Sequence, residues 1–212
     1  VAKAGADIIM VSGGDGGTGA APLSSMKHAG LPWELGLSEV HRALSRHGLR
    51  ERVQLRVDGG FSTGRDIVVA AALGADGFAF GKLLLIAQGC IMARVCEKNT
   101  CPTGIATQAA KYREHYRGNP SAIVALLREI ATDARQRMAE VGVRGLSELR
   151  GRVDLLGPAP DYAAFCEERH LSLDDLLTPA EMTESLPRPQ RRLGDLNARV
   201  LKESASALGG RA

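Results

Sequence analysis

Short apolar runs that end in glycines dominate the first half of the chain. Three such runs cover residues 7–12, 53–57 and 75–80. Each has the length and the β-branched or aromatic content of a buried strand. The runs lead into Gly-Gly-Asp-Gly-Gly at 13–17, Asp-Gly-Gly at 58–60 and a single glycine at 81. The pattern predicts three strands with glycine-rich turns at their carboxyl ends.

Helical periodicity fills the gaps between these strands. Residues from Thr63 to Gly74 have apolar side chains at helical spacing, and Gly74 suits the end of that helix. Ser38 is expected to cap the start of another helix, which runs to about His47. The segments 4–7 and 73–76 are near copies, Ala-Gly-Ala-Asp and Leu-Gly-Ala-Asp, and each is expected to lead from a helix end into a strand. This alternation is typical of βα units on a parallel sheet.

The predicted fold class is therefore α/β, namely the C-terminal portion of a (β/α)8 barrel. A complete barrel has eight βα units, and three strands supply only its last part. We expect this domain to cover residues 1–156, with helices over 83–92 and 121–140. Residues 157–212, which carry prolines and mixed charges, are expected to form an irregular linker toward a further domain. The first residue is Val1 rather than Met, so we expect the chain to be part of a longer protein.

Composition and charge exclude several classes of protein. Hydrophobic residues make up 44% and charged residues 24%, which does not fit collagen, low-complexity disorder or a disulfide scaffold. The net charge of +3 is spread along the chain without a basic stripe, so we expect no nucleic-acid partner. No window reaches the ~18 apolar residues of a membrane span. We expect no membrane association and a cytoplasmic location.

The glycine turns after the second and third strands lie where barrel enzymes bind phosphate. Glycines allow backbone N–H groups to approach phosphate oxygens closely, and Lys82 adds a cation next to Gly81. The alternative is that these glycines only form tight βα turns, with Ser62 or Thr63 capping the next helix. The first loop has four glycines between Gly13 and Gly17, which is more glycine than a single turn requires. Such a loop leaves room for a planar ring or a substrate.

Three of the four cysteines lie within twelve residues. Cys90, Cys96 and Cys101 follow the spacing Cys-x5-Cys-x4-Cys, and Pro102 follows the third, as in some iron–sulfur motifs. Zinc sites usually show Cys-x2-Cys pairs and four ligands, which this loop lacks. Three thiolates suit a 3Fe–4S cluster. The alternative is that Cys90 belongs to the core and the others are incidental. Cys166 stands apart and is expected to be a buried or free thiol.

Three motifs resemble the synthase domain of the large subunit of glutamate synthases. They are GGDGGTGAAPLSSMKHAGLPWELGL at 13–37, DGGFSTGRD at 58–66 and GCIMARVCEKNTCPTGIATQ at 89–108. They occur in the order and spacing of that family, and the resemblance covers roughly residues 1–156. It weakens over the tail, which is similar to the segment that leads to the family's C-terminal β-helix domain.

The resemblance implies an FMN-binding (β/α)8 barrel with a 3Fe–4S cluster beside it. By motif match, the cluster ligands are Cys90, Cys96 and Cys101, in a cluster loop at 90–108. The FMN-binding residues implied by the resemblance are Gly16, Gly17, Asp58, Gly59, Gly60, Gly81 and Lys82. In this family, ammonia from glutamine condenses with 2-oxoglutarate, and reduced FMN delivers hydride to the 2-iminoglutarate. Electrons come from NADPH, NADH or reduced ferredoxin, through a small subunit or directly. Catalytic residues are not assigned.

Two other interpretations stay open at the level of sequence. The chain could belong to another FMN-barrel oxidoreductase that carries the same cluster but serves a different acceptor. It could also be a cluster-binding module without turnover. The glutaminase domain with its cysteine nucleophile and the earlier barrel strands of the family are outside these 212 residues, so this segment alone is not expected to make glutamate.

Overall fold

A three-stranded parallel sheet forms the centre of the protein in a computed structural model, which describes residues 1–16, 22–187 and 195–208. Strands β1 (Ile8–Ser12), β2 (Gln54–Asp58) and β3 (Gly77–Phe78) lie in the order β1-β2-β3. The register pairs Ser12 with Asp58 and Val57 with Phe78, so the carboxyl ends of all three strands meet at one edge. The predicted α/β class with a parallel sheet is confirmed, although β3 is much shorter than the apolar run 75–80.

Helices connect and flank these strands. Within the described ranges, the α-helices are α1 (Leu23–His28), α2 (Trp33–Arg46), α3 (Gly64–Ala72), α4 (Lys82–Ala87), α5 (Ala110–Arg113), α6 (Pro120–Glu140), α7 (Leu146–Leu149), α8 (Pro160–Glu168), α9 (Asp174–Leu177) and α10 (Asp195–Leu208). Short 3-10 turns occur at Ala2–Ala4, Arg50–Arg52, Cys96–Lys98 and Val153–Leu155. Helix α6 agrees with the predicted longest helix and starts behind the Asn119 cap. None of the described helices is long and apolar enough to cross a membrane.

The start of α2 differs from the sequence prediction. The helix begins at Trp33, directly after Pro32, whose fixed φ of −52° suits a helix start. Ser38 is therefore not the cap but a buried residue in the middle of α2, and its hydroxyl donates to the carbonyl of Leu176 at 2.8 Å. The prediction of a cap at Ser38 was wrong because a serine in a helix interior can satisfy its hydroxyl with a partner far away in the sequence.

The near copies at 4–7 and 73–76 have the same backbone structure. In both, the glycine amide bonds to the carbonyl three residues back, at 3.1 and 2.9 Å. The next alanine amide bonds to the carbonyl five residues back, at 3.4 and 2.9 Å. This pair of bonds is the Schellman closure of a helical turn. The repeated sequence thus delivers the chain into β1 and β3 in the same way, as predicted.

The core lies between the sheet, α2 and α3, and α6 packs on the outer side of α3. Leu37, Leu55, Val57 and Leu73 are almost fully buried there. Helices α3 and α6 approach so closely that a Cβ at Gly64 would lie 2.1 Å from the backbone nitrogen of Ala134. By contrast, β1 is an edge strand, with alternate side chains such as Ile8 and Met10 nearly half exposed.

The tail after residue 156 is more regular than expected. It contains α8, α9 and α10, and its residues Leu176, Thr183 and Leu186 bond to α2 or to the turn that follows it. Thr183 donates its hydroxyl to the carbonyls of Ser45 and Arg46, at 3.0 and 3.1 Å, and the amide of Leu186 bonds to the carbonyl of Gly48 at 2.8 Å. The bond to the Arg46 carbonyl satisfies an acceptor that α2 itself leaves without a partner, whereas the Ser45 carbonyl also accepts the Gly48 amide at 3.1 Å.

A buried polar network joins the elements at the amino ends of the strands. The guanidinium of Arg50 is almost fully buried and donates to His41 Nδ1 at 3.0 Å and to Asp76 Oδ2 at 2.7 Å. It also donates to the carbonyls of Val53 and Gly74, at 3.2 and 2.7 Å. Asp76 Oδ2 accepts the amide of Leu55 as well, at 2.8 Å. One arginine therefore ties α2, β2 and the start of β3 together.

Acidification is expected to weaken this end of the fold through His41. Burial, followed by the nearby guanidiniums of Arg50 and Arg150, lowers the pKa of His41 from 6.5 to about 4. In the unfolded chain, His41 therefore binds a proton below about pH 6.5, whereas in the folded chain it does so only near pH 4. Stability is fully present above pH 6.5 and is lost as pH falls toward 4, by up to about 3 kcal/mol. Hydrogen exchange of α2 amides, corrected for intrinsic rates, measures this loss, and His41→Gln should flatten it. An equal pH dependence in His41→Gln would contradict the assignment.

Candidate active site at the carboxyl ends of the strands

The glycine loops that follow the three strands surround one cavity. Its empty volume is about 610 Å³. The lining residues come from all three loops and from α4: Asp15, Asp58, Gly60, Phe61, Ser62, Gly81, Lys82, Leu83 and Ile86. In parallel α/β folds, ligands bind at this edge of the sheet because loops from neighbouring strands converge there. We call this space the strand-end cavity.

Trp33 packs against two of the glycine loops, with its backbone at Gly13 and its ring at Gly59. A Cβ at Gly13 would lie 2.6 Å from the Trp33 backbone nitrogen, and one at Gly59 would lie 2.9 Å from Trp33 Cδ1. Both positions therefore require glycine because there is no space for a side chain. Phe61 packs on Trp33 with ring centroids 4.9 Å apart, and its other neighbours are Phe78 and Phe80. Phe61 is the member of this aromatic cluster that lines the strand-end cavity.

Backbone amides at the cavity wall are available to a ligand. In the described part of the chain, no protein acceptor bonds to the amides of Gly60, Gly81 or Lys82. A Cβ at Gly81 would meet no atom within 4 Å, so the space in front of it is open. The amides of Ser62 and Thr63 are already used, since both donate to Asp66 Oδ2 at 2.8 Å in a capping box at the start of α3. The expected alternative role of Thr63 as a helix cap is confirmed.

Charges of both signs line the strand-end cavity. Lys82 supplies a cation beside Gly81, Asp15 and Asp58 supply carboxylates, and the Asp15 side chain lies next to Gly60. A phosphate is favoured near Lys82 and repelled near the carboxylates. Hydroxyl and N–H groups of a ligand are favoured where the carboxylates accept hydrogen bonds. The cavity is suited to an elongated ligand with an anionic end and a polar uncharged part.

A second cavity adjoins the first and shares Asp15 with it. Its empty volume is about 630 Å³, and its wall is formed by Gly14, Asp15 and residues 30–34. Glu34 contributes a half-buried carboxyl group. Burial, followed by the negative charges of Asp66 and Asp15, raises the pKa of Glu34 above its usual 4.5.

Helix α4 links the strand-end cavity to the cysteines. Lys82, Leu83 and Ile86 on this helix line the cavity, and the helix ends at Ala87 rather than at the predicted residue 92. Gly89 (φ +92°) closes the helix with its amide on the Ile86 carbonyl at 2.9 Å. Cys90 then bonds through its amide to the Leu85 carbonyl at 3.0 Å. The extended prediction was wrong because this closure needs a positive φ, which glycine adopts without strain.

The fold brings the three clustered cysteines together. Cys90, Cys96 and Cys101 all line one small cavity, which we call the cysteine cavity. Cys101 is buried, Cys90 is half-buried and Cys96 is exposed. Cys166 lies on α8 and is not among the lining residues. In the ranges that the structure describes, no three His, Cys, Asp or Glu side chains converge closely enough to share a single metal ion.

The sulfur of Cys101 has a hydrogen-bond partner in the same loop. Thr103 Oγ1 lies 3.4 Å from the sulfur. The hydrogen bond with Thr103, together with the effect of nearby backbone amides, lowers the pKa of the Cys101 thiol from 9.0 to about 7 against the opposing effect of burial. A thiol with such a pKa is substantially ionised near neutral pH, and the thiolate is the form that binds metals.

The backbone of the cysteine loop is unusual. Met92, Arg94 and Asn99 have φ values of 56–57°, which non-glycine residues rarely adopt. Such conformations persist only where the surrounding structure holds them, and they concentrate at ligand sites. The amide of Met92 donates to the Cys90 sulfur at 3.4 Å, so at least one of these turns directs a donor at a cysteine.

The structure places the predicted site residues as follows. Asp58, Gly60, Gly81 and Lys82 line the strand-end cavity, and Cys90, Cys96 and Cys101 line the cysteine cavity. Gly59 is not among the lining residues, since it packs against Trp33. Gly16 also stays outside the lining, where its amide bonds to the Gly13 carbonyl at 2.9 Å. Gly17 lies outside the described residues.

Sequence reasoning did not find several residues that shape these sites. Asp15 was visible inside the first glycine loop, but only the tertiary structure places it across from Gly60. Trp33 is the only tryptophan of the chain, and this rarity next to a glycine loop was an available signal. Leu83 and Ile86 resembled ordinary helix residues, and the sequence contained no sign that they face a cavity.

Comparisons with known proteins show what the chain is similar to. A family model described as a conserved region in glutamate synthase matches residues 1–144. Ferredoxin-dependent glutamate synthase 2 of Synechocystis sp. is 52% identical over 177 residues, which are 84% of this chain and 11% of that protein. The large chain of the NADPH glutamate synthase of Azospirillum brasilense is 55% identical over 156 residues, which are 74% of this chain and 10% of that protein. The chain spans about a tenth of the length of these curated relatives.

Among solved structures, the flavin-binding domain of baker's yeast flavocytochrome b2 is similar to this chain. The superposition covers 91% of this chain and 38% of that domain, with a TM-score of 0.47 and 16% sequence identity. At this TM-score the similarity supports no argument about this chain.

Proposed function

The chain belongs to the glutamate synthase family, and from this premise we propose that it forms the last part of an FMN-binding (β/α)8 synthase domain. The parallel order β1-β2-β3 and the repeated helix-to-strand junctions support this proposal. The proposed domain covers residues 1–156, and residues 157–212 connect it to a further domain. The cytoplasm stays the expected compartment.

We propose that the strand-end cavity holds FMN. The observation that carries this proposal is the set of amides of Gly60, Gly81 and Lys82, which have no protein acceptor in the described part of the chain and belong to residues that line the same cavity. A phosphate group fits this donor set. Asp58 and Asp15 are suited to accept hydrogen bonds from hydroxyl groups of the cofactor. Gly16 and Gly59 would act by shaping the loops, and Gly17 keeps its predicted place beside the cofactor.

We propose that Cys90, Cys96 and Cys101 hold a 3Fe–4S cluster in the cysteine cavity. Three thiolates are the donor set that iron–sulfur clusters use, and the cavity between them is lined otherwise by apolar side chains, Arg94 and Thr103. Each thiolate of such a cluster binds a different iron, so the sulfurs need not converge on one ion. The low pKa of Cys101 favours the ionised ligand at neutral pH.

The proposed activity of the complete protein is the reductive synthesis of glutamate from 2-oxoglutarate and ammonia released from glutamine. FMN supplies hydride chemistry when it is bound, and an iron–sulfur cluster passes single electrons. The role of this segment is to hold the two groups at opposite ends of α4. Lys82 is at one end of this helix, and Cys90 lies just past the other end. Reduced ferredoxin or an electron-donating small subunit is the proposed donor.

The test is an analysis of the full-length protein after anaerobic purification. We expect FMN absorbance, iron and acid-labile sulfide in the amounts of one FMN and one 3Fe–4S cluster per chain, and glutamate formation with reduced ferredoxin or a reduced nicotinamide. FMN without iron would leave a flavin enzyme and contradict the assignment of the cysteines. Iron without FMN would support the alternative of a cluster-binding module without turnover.

Replacing Lys82 with methionine is expected to weaken FMN binding at least about tenfold. A charge-assisted hydrogen bond to a phosphate contributes roughly 1.5–3 kcal/mol, and methionine keeps most of the length of the side chain without its charge. The dissociation constant can be measured by FMN fluorescence on adding cofactor to the apoprotein. Lys3→Met, which makes the same change before β1 at the opposite end of the sheet, is the control and should leave the constant unchanged. Equal FMN affinity in Lys82→Met and wild type would rule out a phosphate beside this residue.

A further inference from the structure

A tight turn follows Cys101 and places Thr103 beside the Cys101 sulfur. The amide of Gly104 bonds to the Cys101 carbonyl at 3.1 Å and closes residues 101–104, which we call the Cys101 turn. Pro102 occupies the second position of this turn, where the fixed φ of proline is favourable. Thr103 occupies the third position, and its Oγ1 lies 3.4 Å from the Cys101 Sγ. The hydroxyl of Thr103 is therefore within hydrogen-bond distance of a proposed cluster ligand.

Two contacts from outside hold the Cys101 turn in this shape. Gly104 has a φ of +76°, and a Cβ at this position would lie 2.6 Å from the Tyr112 carbonyl oxygen, so the end of the turn packs directly on α5. Just after that helix, His115 Nδ1 lies 3.0 Å from the Pro102 carbonyl oxygen. Both neighbours of Thr103 are thus in contact with the segment 112–115. The fold therefore holds the backbone of Thr103 in place relative to Cys101.

The Thr103 hydroxyl is a polar group in a cavity wall that is otherwise mostly apolar. The described residues that line the cysteine cavity besides the cysteines are apolar except for Arg94 and Thr103. While Cys101 is a thiol, either the sulfur or the hydroxyl can donate the hydrogen bond between them. A sulfur that binds iron has lost its proton and can only accept, so the hydroxyl is then the donor. The amide of Met92 makes a similar bond to Cys90 Sγ, at 3.4 Å, but a substitution does not remove a backbone amide.

We propose that the Thr103 hydroxyl donates a hydrogen bond to the sulfur of Cys101 in the cluster-bound protein and thereby raises the reduction potential of the cluster. This inference rests on the proposed function of the three cysteines. Reduction adds one electron, and the extra negative charge makes the ligand sulfurs better acceptors. A hydrogen bond to a ligand sulfur therefore stabilises the reduced state more than the oxidised state. Thr103 is a positioning residue, since it acts through Cys101 and does not bind iron itself.

The test compares Thr103→Val with Thr103→Ser in the full-length protein. Valine keeps the branched shape and removes the donor, whereas serine keeps the hydroxyl and removes only the methyl group. Redox titration followed by electron paramagnetic resonance measures the ratio of reduced to oxidised cluster. At the wild-type midpoint, we expect this ratio to fall about three- to tenfold in Thr103→Val, which corresponds to a potential lower by roughly 30–60 mV. Thr103→Ser should keep the wild-type ratio.

The matched control is Thr132→Val. The Thr132 hydroxyl donates to the Arg128 carbonyl at 2.9 Å on α6, and Thr132 is not among the residues that line the cysteine cavity. The same chemical change at this position should leave the potential at the wild-type value. Iron and FMN per chain are measured in every variant, and we expect wild-type amounts of both.

Three results would overturn the inference. One is a wild-type ratio in Thr103→Val, and another is an equal fall in Thr103→Ser or Thr132→Val. The third is loss of iron from Thr103→Val, because the hydroxyl would then be needed to assemble the site rather than to set its potential. Absence of iron from the wild-type protein would instead overturn the proposed cluster itself, so the two failures are distinguishable.

Discussion

Replacing Cys96 with alanine is expected to remove the cluster iron from the protein while FMN stays bound. Cys96 lines the cysteine cavity but is exposed, so losing its thiol leaves no large hole in the core. A cluster held by three thiolates loses one of its protein ligands outright. Iron, sulfide and visible absorbance of the anaerobically purified full-length protein measure the result. Iron should fall to background, and the flavin bands should persist.

The matched control for this experiment is Cys166→Ala. Cys166 is half-buried on α8 and is not among the residues that line the cysteine cavity. The same chemical change at this position should leave the iron content at the wild-type value. Full iron in Cys96→Ala, or equal loss in Cys166→Ala, would contradict the assignment of the ligands. Loss of FMN together with iron would show that the loop supports the flavin site as well.

Replacing Arg50 with methionine is expected to cost about 3–5 kcal/mol of local stability, because it leaves the Asp76 carboxylate without its buried partner. Arg50 is 1% exposed, and its guanidinium also serves His41 and two backbone carbonyls. Methionine fills much of the same space, so the loss is mainly polar. Hydrogen exchange of β2 amides, followed by mass spectrometry in the full-length protein, gives the free energy of opening directly.

Arg152→Met is the control for Arg50→Met. Arg152 pairs with Asp154 at 2.7 Å, but both side chains are about half exposed to water. Exposed pairs contribute little because water solvates both charges when they separate. The exchange of β2 amides should therefore be unchanged in this variant. Similar exchange in Arg50→Met and wild type would show that the buried network is not needed to hold β2 and β3 together.

The two ends of the sheet have different roles in this fold. The amino ends carry the network of Arg50, His41 and Asp76, in which Arg50 and His41 are buried, Asp76 is partly buried, and the described buried polar atoms have partners within the protein. The carboxyl ends carry glycine loops, which have backbone amides without protein acceptors in the described residues and which border an open cavity. Proteins built from βα units generally separate stability and ligand binding in this way. A substitution near Arg50 is therefore expected to change folding, and one near Gly81 to change binding.

Much of the local structure could be predicted from the sequence because it depends on neighbouring residues. The β-branched runs indicated β1 and β2, and the period of apolar positions indicated α3 and α6. The repeated Ala-Asp junctions after Gly5 and Gly74 gave the same backbone closure twice. The spacing of the three cysteines was enough to predict that they lie near one another, because a short loop keeps them within reach.

Contacts between residues that are far apart in the sequence were decided only by the tertiary structure. Ser38 was mistaken for a cap because its partner, the carbonyl of Leu176, lies 138 positions later. The roles of Trp33 under Gly59 and of Arg50 beside Asp76 depend on how α2, β2 and β3 pack, and apolar periodicity does not encode which polar atoms meet. The sequence by itself determined the elements and the chemistry of their loops. Packing decided which of those loop residues face a cavity, because burial and hydrogen bonding depend on the whole fold.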